Sequence, residues 1–196
     1  RHLNAKWGSE PLPDSVGGSV VYATNNAHTF RDLLPDSVYF DEHPEYFAMN
    51  EAGERVRAPN HDTQPCLTNP EVFSIVLENL RKTLREHPNA RFASVSQNDV
   101  PEFCHCPACT RVNAEEETDG GTIYRFVNRI AAALADEFPR VTFDTLPYVY
   151  STKPPAHETL AENVSVRLCL MDTCREHTLS DESCPYNRKM REYFRN

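Results

Sequence analysis

Hydrophobic positions along the chain fall into two long stripes of helical period, separated by short apolar runs. Asn69, Pro70 and Glu71 set a capping side chain, a proline at the first helical position and an acid in the first turn ahead of Val72, Val76, Leu77, Leu80 and Leu84, which share one face. The pattern predicts a helix that ends near His87 and Pro88. A second stripe, Ile123, Phe126, Val127, Ile130, Leu134 and Phe138, keeps the same period. Residues 91–97 (RFASVSQ), 141–146 and 164–170 read as short buried strands, and 19–24 as another ahead of the first helix. Strands alternating with amphipathic helices imply an α/β fold of parallel βαβ units. Residues 98–121 read as a long polar loop, 147–155 as a Tyr- and Pro-rich loop, 30–34 as a short turn or helix, 46–56 as a hairpin around Ala52 and Gly53, and 186–194 as a last helix.

Composition narrows the function classes. The 196 residues carry 20 Lys and Arg against 29 Asp and Glu, a net charge of −9. That speaks against a nucleic-acid groove, because neutralising phosphates takes clustered cations. No apolar run approaches the ~20 residues that span a bilayer. The length favours a single domain with a real core. No targeting segment is read at Arg1, and a chain without an initiator methionine is expected to have been trimmed. Fifteen prolines against six glycines indicate long, shaped loops. Seven cysteines cannot all pair within the chain: Cys66 stands alone, Cys104, Cys106 and Cys109 cluster, and Cys169, Cys174 and Cys184 follow.

In parallel α/β folds the ligand site lies beyond the carboxyl ends of the strands. Asn25, Asn26, His28, Gln97, Asn98, Asp99, Tyr148, Tyr150 and residues 172–177 are therefore the positions to weigh. Ser96, Gln97, Asn98 and Asp99 emerge together where a buried strand ends; they suit general acid–base work and hydroxyl or amide binding, or simply the start of a turn. Cys106-x-x-Cys109 has the spacing of half a structural zinc site. Its completion would draw on Cys104 or His105 with Cys169, Cys174, His177 or Cys184, and disulfides or buried free thiols are the alternatives. Glu115, Glu116 and Glu117 read either as a solvated acidic run before the second helix or as a source of the carboxyl partner of Asp99, since glycosidic cleavage uses two carboxyl groups. Tyr148 and Tyr150 suit a sugar-stacking wall or a plain strand edge.

The residues also form an ordered set: His28-Thr-Phe with Leu33-Leu-Pro, Tyr39-Phe40 with His43-Pro-Glu-Tyr-Phe47, Ser96-Gln-Asn-Asp99, Phe103-Cys104-x-Cys106-x-x-Cys109, Asn128, Thr145-Leu-x-Tyr148, Pro154-Pro155, and Asn163-Val164 with Leu168-Cys169. Over roughly residues 26–185 the chain resembles the bacterial domain-of-unknown-function family 4838, associated with glycoside hydrolase family 163. The resemblance implies a (β/α)8 TIM-type barrel related to hexosaminidases and α-glucuronidases, and a retaining endo-β-N-acetylglucosaminidase acting on N-glycans through the substrate's own 2-acetamido group. On that reading Asp99 is a catalytic acid or orients the acetamide, Asn98 stands beside it, Tyr148 steadies the acetamide oxygen and His28 binds sugar hydroxyls. Glu115 and Glu116 are the candidates for the second carboxyl group.

The resemblance further implies a glycan partner, no required cofactor, and an exported or cell-surface location. A TIM barrel takes ~250 residues, and only four strands are legible here, so an incomplete barrel that needs the rest of a parent polypeptide is expected. The rival from another class is a non-catalytic carbohydrate-binding or structural module held by cysteines or zinc, and a different hexosaminidase or uronidase on the same scaffold is a second enzymatic alternative.

Overall fold

The computed structural model describes Ser15, residues 20–171 and residues 173–195. In chain order its elements are α1 (Phe30–Leu33), α2 (Asp36–Tyr39), α3 (Pro70–Glu86), β1 (Phe92–Ser94), α4 (Pro107–Glu115), α5 (Gly121–Leu134), β2 (Thr142–Thr145), β3 (Val164–Val166) and α6 (Arg188–Arg195). Short 3-10 turns lie at Pro44–Tyr46, Pro59–His61 and Val149–Ser151.

The long helices form where the pattern places them, and for the stated reason. Asn69 Oδ1 accepts from the backbone N–H groups of Glu71 (2.8 Å) and Val72 (3.4 Å), and Val72, Val76, Leu80 and Leu84 are buried. The α5 stripe of Ile123, Phe126, Val127, Ile130 and Leu134 joins the same core. Both helices pack on one face of a parallel sheet of order β1-β2-β3, whose Ala93, Val95 and Phe143 complete that core. Phe30 and Phe73 meet Phe126 edge-on at centroid distances of 5.8 and 5.7 Å, which seats α1 beside the same helix.

Strand side chains alternate between faces, so the opposite face of the sheet carries Tyr22, Phe92, Ser94, Asp144 and Arg167. It is largely polar. Tyr22 makes a parallel bridge to Phe92, outside the ladder that joins β1 to β2. The strand expected over 19–24 is thus reduced to this bridge, and Ser19 lies outside the described residues. Among the described residues the sheet is open and no closed barrel is formed.

Three local expectations are corrected. The polar stretch 98–121 contains α4, a helix with only a weak apolar stripe, started by Pro107 and capped by Cys106 Sγ on the N–H of Cys109. Glu115, Glu116 and Glu117 consequently close α4 at its C-terminus instead of leading into α5. β3 covers only Val164–Val166 of the expected 164–170, although the Arg167 N–H still donates to the Thr145 carbonyl (2.9 Å) and its side chain crosses the sheet to Asp144 and the carbonyl of Asn26. The 46–56 turn is present: Met49 pairs with Arg55, and Gly53 sits at φ 82°, a conformation open to glycine. Among the described residues no helix is long and apolar enough to cross a membrane.

Candidate functional site

Three loops converge at the carboxyl edge of the sheet. Thr29 and Phe30 donate their N–H groups to the carbonyl of Ser96 (3.1 and 3.2 Å), and the Ser96 N–H returns a bond to the Thr29 hydroxyl (2.8 Å). Buried Gln97 reaches from the end of the β1 segment to the loop after β2, donating to the Tyr148 carbonyl (3.0 Å) and accepting from the Ser151 hydroxyl. These bonds bring His28, Asp99 and Tyr148 together. His28 Nε2 lies 4.0 Å from Asp99 Oδ1, and the His28 and Tyr148 rings meet edge-on at 6.0 Å.

The protonation of His28 follows from its partner. His28 Nδ1 is 3.0 Å from the Gln97 carbonyl, which only accepts, so Nδ1 carries the hydrogen and Nε2 faces Asp99. The Asp99 side chain is 52% exposed and stands open to a ligand. Backbone strain collects at the same edge, with His28 at φ 54° and the β-branched Val149 at φ 50°. Histidine tolerates that region, but a β-branched valine there is strained, and such outliers concentrate at functional sites.

The polar face of the sheet holds a second group that the strand pattern alone did not single out. Asp144, 1% exposed, accepts from the Tyr22 hydroxyl at 2.7 Å and pairs with Arg167, whose guanidinium lies 5.7 Å from the centre of the Tyr22 ring. Burial and the bond to Asp144 push the Tyr22 phenol well above its ordinary range. Among the described residues, Asp144 Oδ1 is buried with no hydrogen-bond partner. The usable signal was the aspartate at the centre of VTFDTL, on the face opposite Phe143.

The remaining sequence candidates have other posts. Asn98 is wholly committed to the protein: Oδ1 accepts from the Arg31 N–H (2.8 Å), Nδ2 donates to the Thr63 carbonyl (2.9 Å), and its backbone is paired with Gln64 on both sides. Glu116 is buried at the end of α4 and bound by Arg125 and two backbone N–H groups, while half-exposed Glu115 pairs with the same arginine at 2.8 Å. Tyr150 stacks on Phe103 at 5.1 Å and lines a cleft of about 580 Å³ with Phe103, His105, Asn113, Lys153 and Tyr193. His28, Asp99 and Tyr148 are not in that lining.

Among the described residues, two thiol clusters can hold a metal. Cys66, Cys104, Cys106 and Cys109 are buried with all sulfurs within 4.8 Å of one another. Cys104 thus joins Cys106 and Cys109 as weighed, and the distant group is Cys66, which seemed isolated in the sequence, in place of Cys169, Cys174, His177 or Cys184. Cys174, His177 and Cys184 form a second, more open set of the same reach; Asp172, also weighed from the sequence, lies outside the described residues.

Cys174 Sγ is 3.2 Å from His177 Nδ1, and this hydrogen bond lowers the thiol to about 7 while raising the imidazole. In metal-free protein, alkylation of Cys174 is expected to rise through pH about 7, with the midpoint moving toward the ordinary thiol value of 9.0 in His177→Ala. An unchanged midpoint in that variant would show that His177 does not activate the thiol.

Comparison with known proteins yields one family: that described as a domain of unknown function, DUF4838, matches residues 4–195. No curated protein matches the chain.

Proposed function

The chain belongs to the DUF4838 family, and from that premise we propose that it carries the carboxyl-edge portion of a glycoside hydrolase site built on parallel β/α units. The observation that carries the reading is the convergence of His28, Asp99 and Tyr148 beyond the carboxyl ends of the parallel strands, the edge where such folds place their chemistry. The narrower expectation is a retaining endo-β-N-acetylglucosaminidase in which the 2-acetamido group of the substrate attacks the anomeric carbon.

In that chemistry Asp99 acts as acid or orients the acetamide, His28 Nε2 binds a sugar hydroxyl, and Tyr148 steadies the acetamide oxygen. Glu116 does not supply the second carboxylate, since both of its oxygens are already bonded within the protein, whereas the Glu115 side chain is 48% exposed. No step draws on a cofactor. Other strands of a barrel would supply the facing wall, and the protein would work outside the cytoplasm, where polymeric glycans are met.

An N-glycosylated protein incubated with this chain, or with a longer polypeptide that contains it, is expected to release glycan cut within the core chitobiose, read by mass spectrometry. Folded protein that neither cleaves nor binds the glycan would remove the reading. The buried four-cysteine cluster favours one other reading, a cysteine-held carbohydrate-binding module; binding without release, in the longer polypeptide as well, would select it.

A further inference from the structure

We propose that Cys66, Cys104, Cys106 and Cys109 form a tetrathiolate zinc centre that ties the segments around residues 46–49, 65–68 and 103–109 into one unit and so pins Phe103 against Tyr150. It stands independently of the hydrolase reading. The argument begins with distance. Cys66 Sγ is 3.7 Å from Cys106 Sγ and 3.9 Å from Cys109 Sγ. Zinc–sulfur bonds of ~2.3 Å in tetrahedral array put the sulfurs ~3.8 Å apart, whereas a disulfide needs ~2.0 Å. All seven cysteines are free thiols.

The backbone is arranged to present four sulfurs to a common point. Phe47 pairs with Pro65, and the Cys66 N–H donates to the Tyr46 carbonyl (2.8 Å), which sets Cys66 beneath the loop that carries the other three. His105 donates its N–H to the Met49 carbonyl (2.7 Å), fixing Cys104 and Cys106 on either side. Cys106 and Cys109 sit at the cap and in the first turn of α4, whose N-terminal end favours negative charge.

The surroundings suit thiolates. Four cysteines around one divalent ion leave the centre doubly negative, and such charge needs outer-shell donors. The Met49 N–H points to Cys104 Sγ (3.4 Å), the Cys109 N–H to Cys106 Sγ (3.5 Å), and the Thr68 hydroxyl lies 3.1 Å from Cys109 Sγ. Soft sulfur donors select zinc over calcium or magnesium. With four protein ligands no position stays open for water, so the ion is structural and takes no part in hydrolysis.

The chain, purified and dialysed into metal-free buffer, is expected to hold stoichiometric zinc by elemental analysis. Cys184→Ser, which alters only the second cluster, should keep one equivalent, and Cys66→Ser introduced into that variant should lose it. Zinc retained in folded protein that carries both Cys184→Ser and Cys66→Ser, or folded wild-type protein that takes up none, would overturn the proposal. Should Cys66→Ser fail to fold, cobalt(II) loaded into the wild-type chain decides. Intense tetrahedral d–d bands with thiolate-to-cobalt charge transfer support the centre, and the weak bands of octahedral oxygen coordination refute it.

Discussion

Asp99→Asn is expected to lower glycan turnover by about 10²–10⁴, the range lost when a positioned acid or base is removed, while the protein stays folded and still binds glycan. The asymmetry comes from where Asp99 stands. Its carboxylate is 52% exposed, and the nearest His28 ring nitrogen is 4.0 Å away, so replacing it by the isosteric amide removes little that holds the fold. A loss confined to kcat, together with loss of the pH-rate limb belonging to the carboxyl group, would identify a group acting on the reacting bond. Unchanged turnover in folded protein would take Asp99 out of the mechanism. His28→Asn, which keeps a donor toward the Gln97 carbonyl but has no ring to face Asp99, should raise KM more than it lowers kcat.

Glu116→Ala is expected to cost about 3–5 kcal/mol of stability, the penalty for stripping one partner from a buried, hydrogen-bonded ion pair, without a specific effect on turnover of the folded fraction. The Glu116 side chain is 1% exposed. Oε1 receives Arg125 Nε at 2.7 Å and Nη2 at 2.5 Å, and Oε2 accepts the backbone N–H groups of His157 (2.9 Å) and Glu158 (2.8 Å). One carboxylate therefore joins the end of α4 to α5 and to the loop before β3. Gly121 closes the fit, because a Cβ there would lie 2.8 Å from Glu116 Cβ.

Burial acts to raise the Glu116 carboxyl, but the two backbone donors and Arg125 outweigh it and hold the group below its ordinary 4.5. The carboxylate's contribution is thus complete above pH 4.5 and fades as pH falls through the lower folded-state value. Urea unfolding followed by circular dichroism should show Glu116→Ala with a reduced midpoint at neutral pH, and the gap to wild type should close in acid. A penalty under about 1 kcal/mol, the worth of an exposed pair, would show that the network does not bear on the fold. A fall in turnover at unchanged stability would return Glu116 to the chemistry.

How much of this was legible before any coordinates depended on the range of the interactions involved. The cap at Asn69, the stripe through Leu84 and the stripe from Ile123 are local signals, and α3 and α5 follow them closely. β1, β2 and β3 lie within the expected runs but are shorter, since ladder length depends on the neighbouring strand. α4 was not legible, because its weak stripe is supplemented by a thiol cap and by burial of Cys109.

Among the site residues, His28, Asp99 and Tyr148 could be chosen by their place after strands, without knowing that they meet. Asn98 and Glu116 looked equally chemical in sequence, and only their partners at Thr63, Arg31, Arg125 and His157 show them occupied within the fold.

By itself, then, the sequence determined the helices α3, α5 and α6, the approximate strands, the parallel α/β class, the acidic balance and the family, because each rests on residue type and short spacing. The tertiary structure alone decided that Cys66 joins the three later cysteines, that Asp144 is buried between Tyr22 and Arg167, and which carboxylates are held by the protein and which stand open. Those outcomes are set by contacts between residues far apart in the chain, where pairing and the loss of water fix the chemistry of a side chain and local pattern does not.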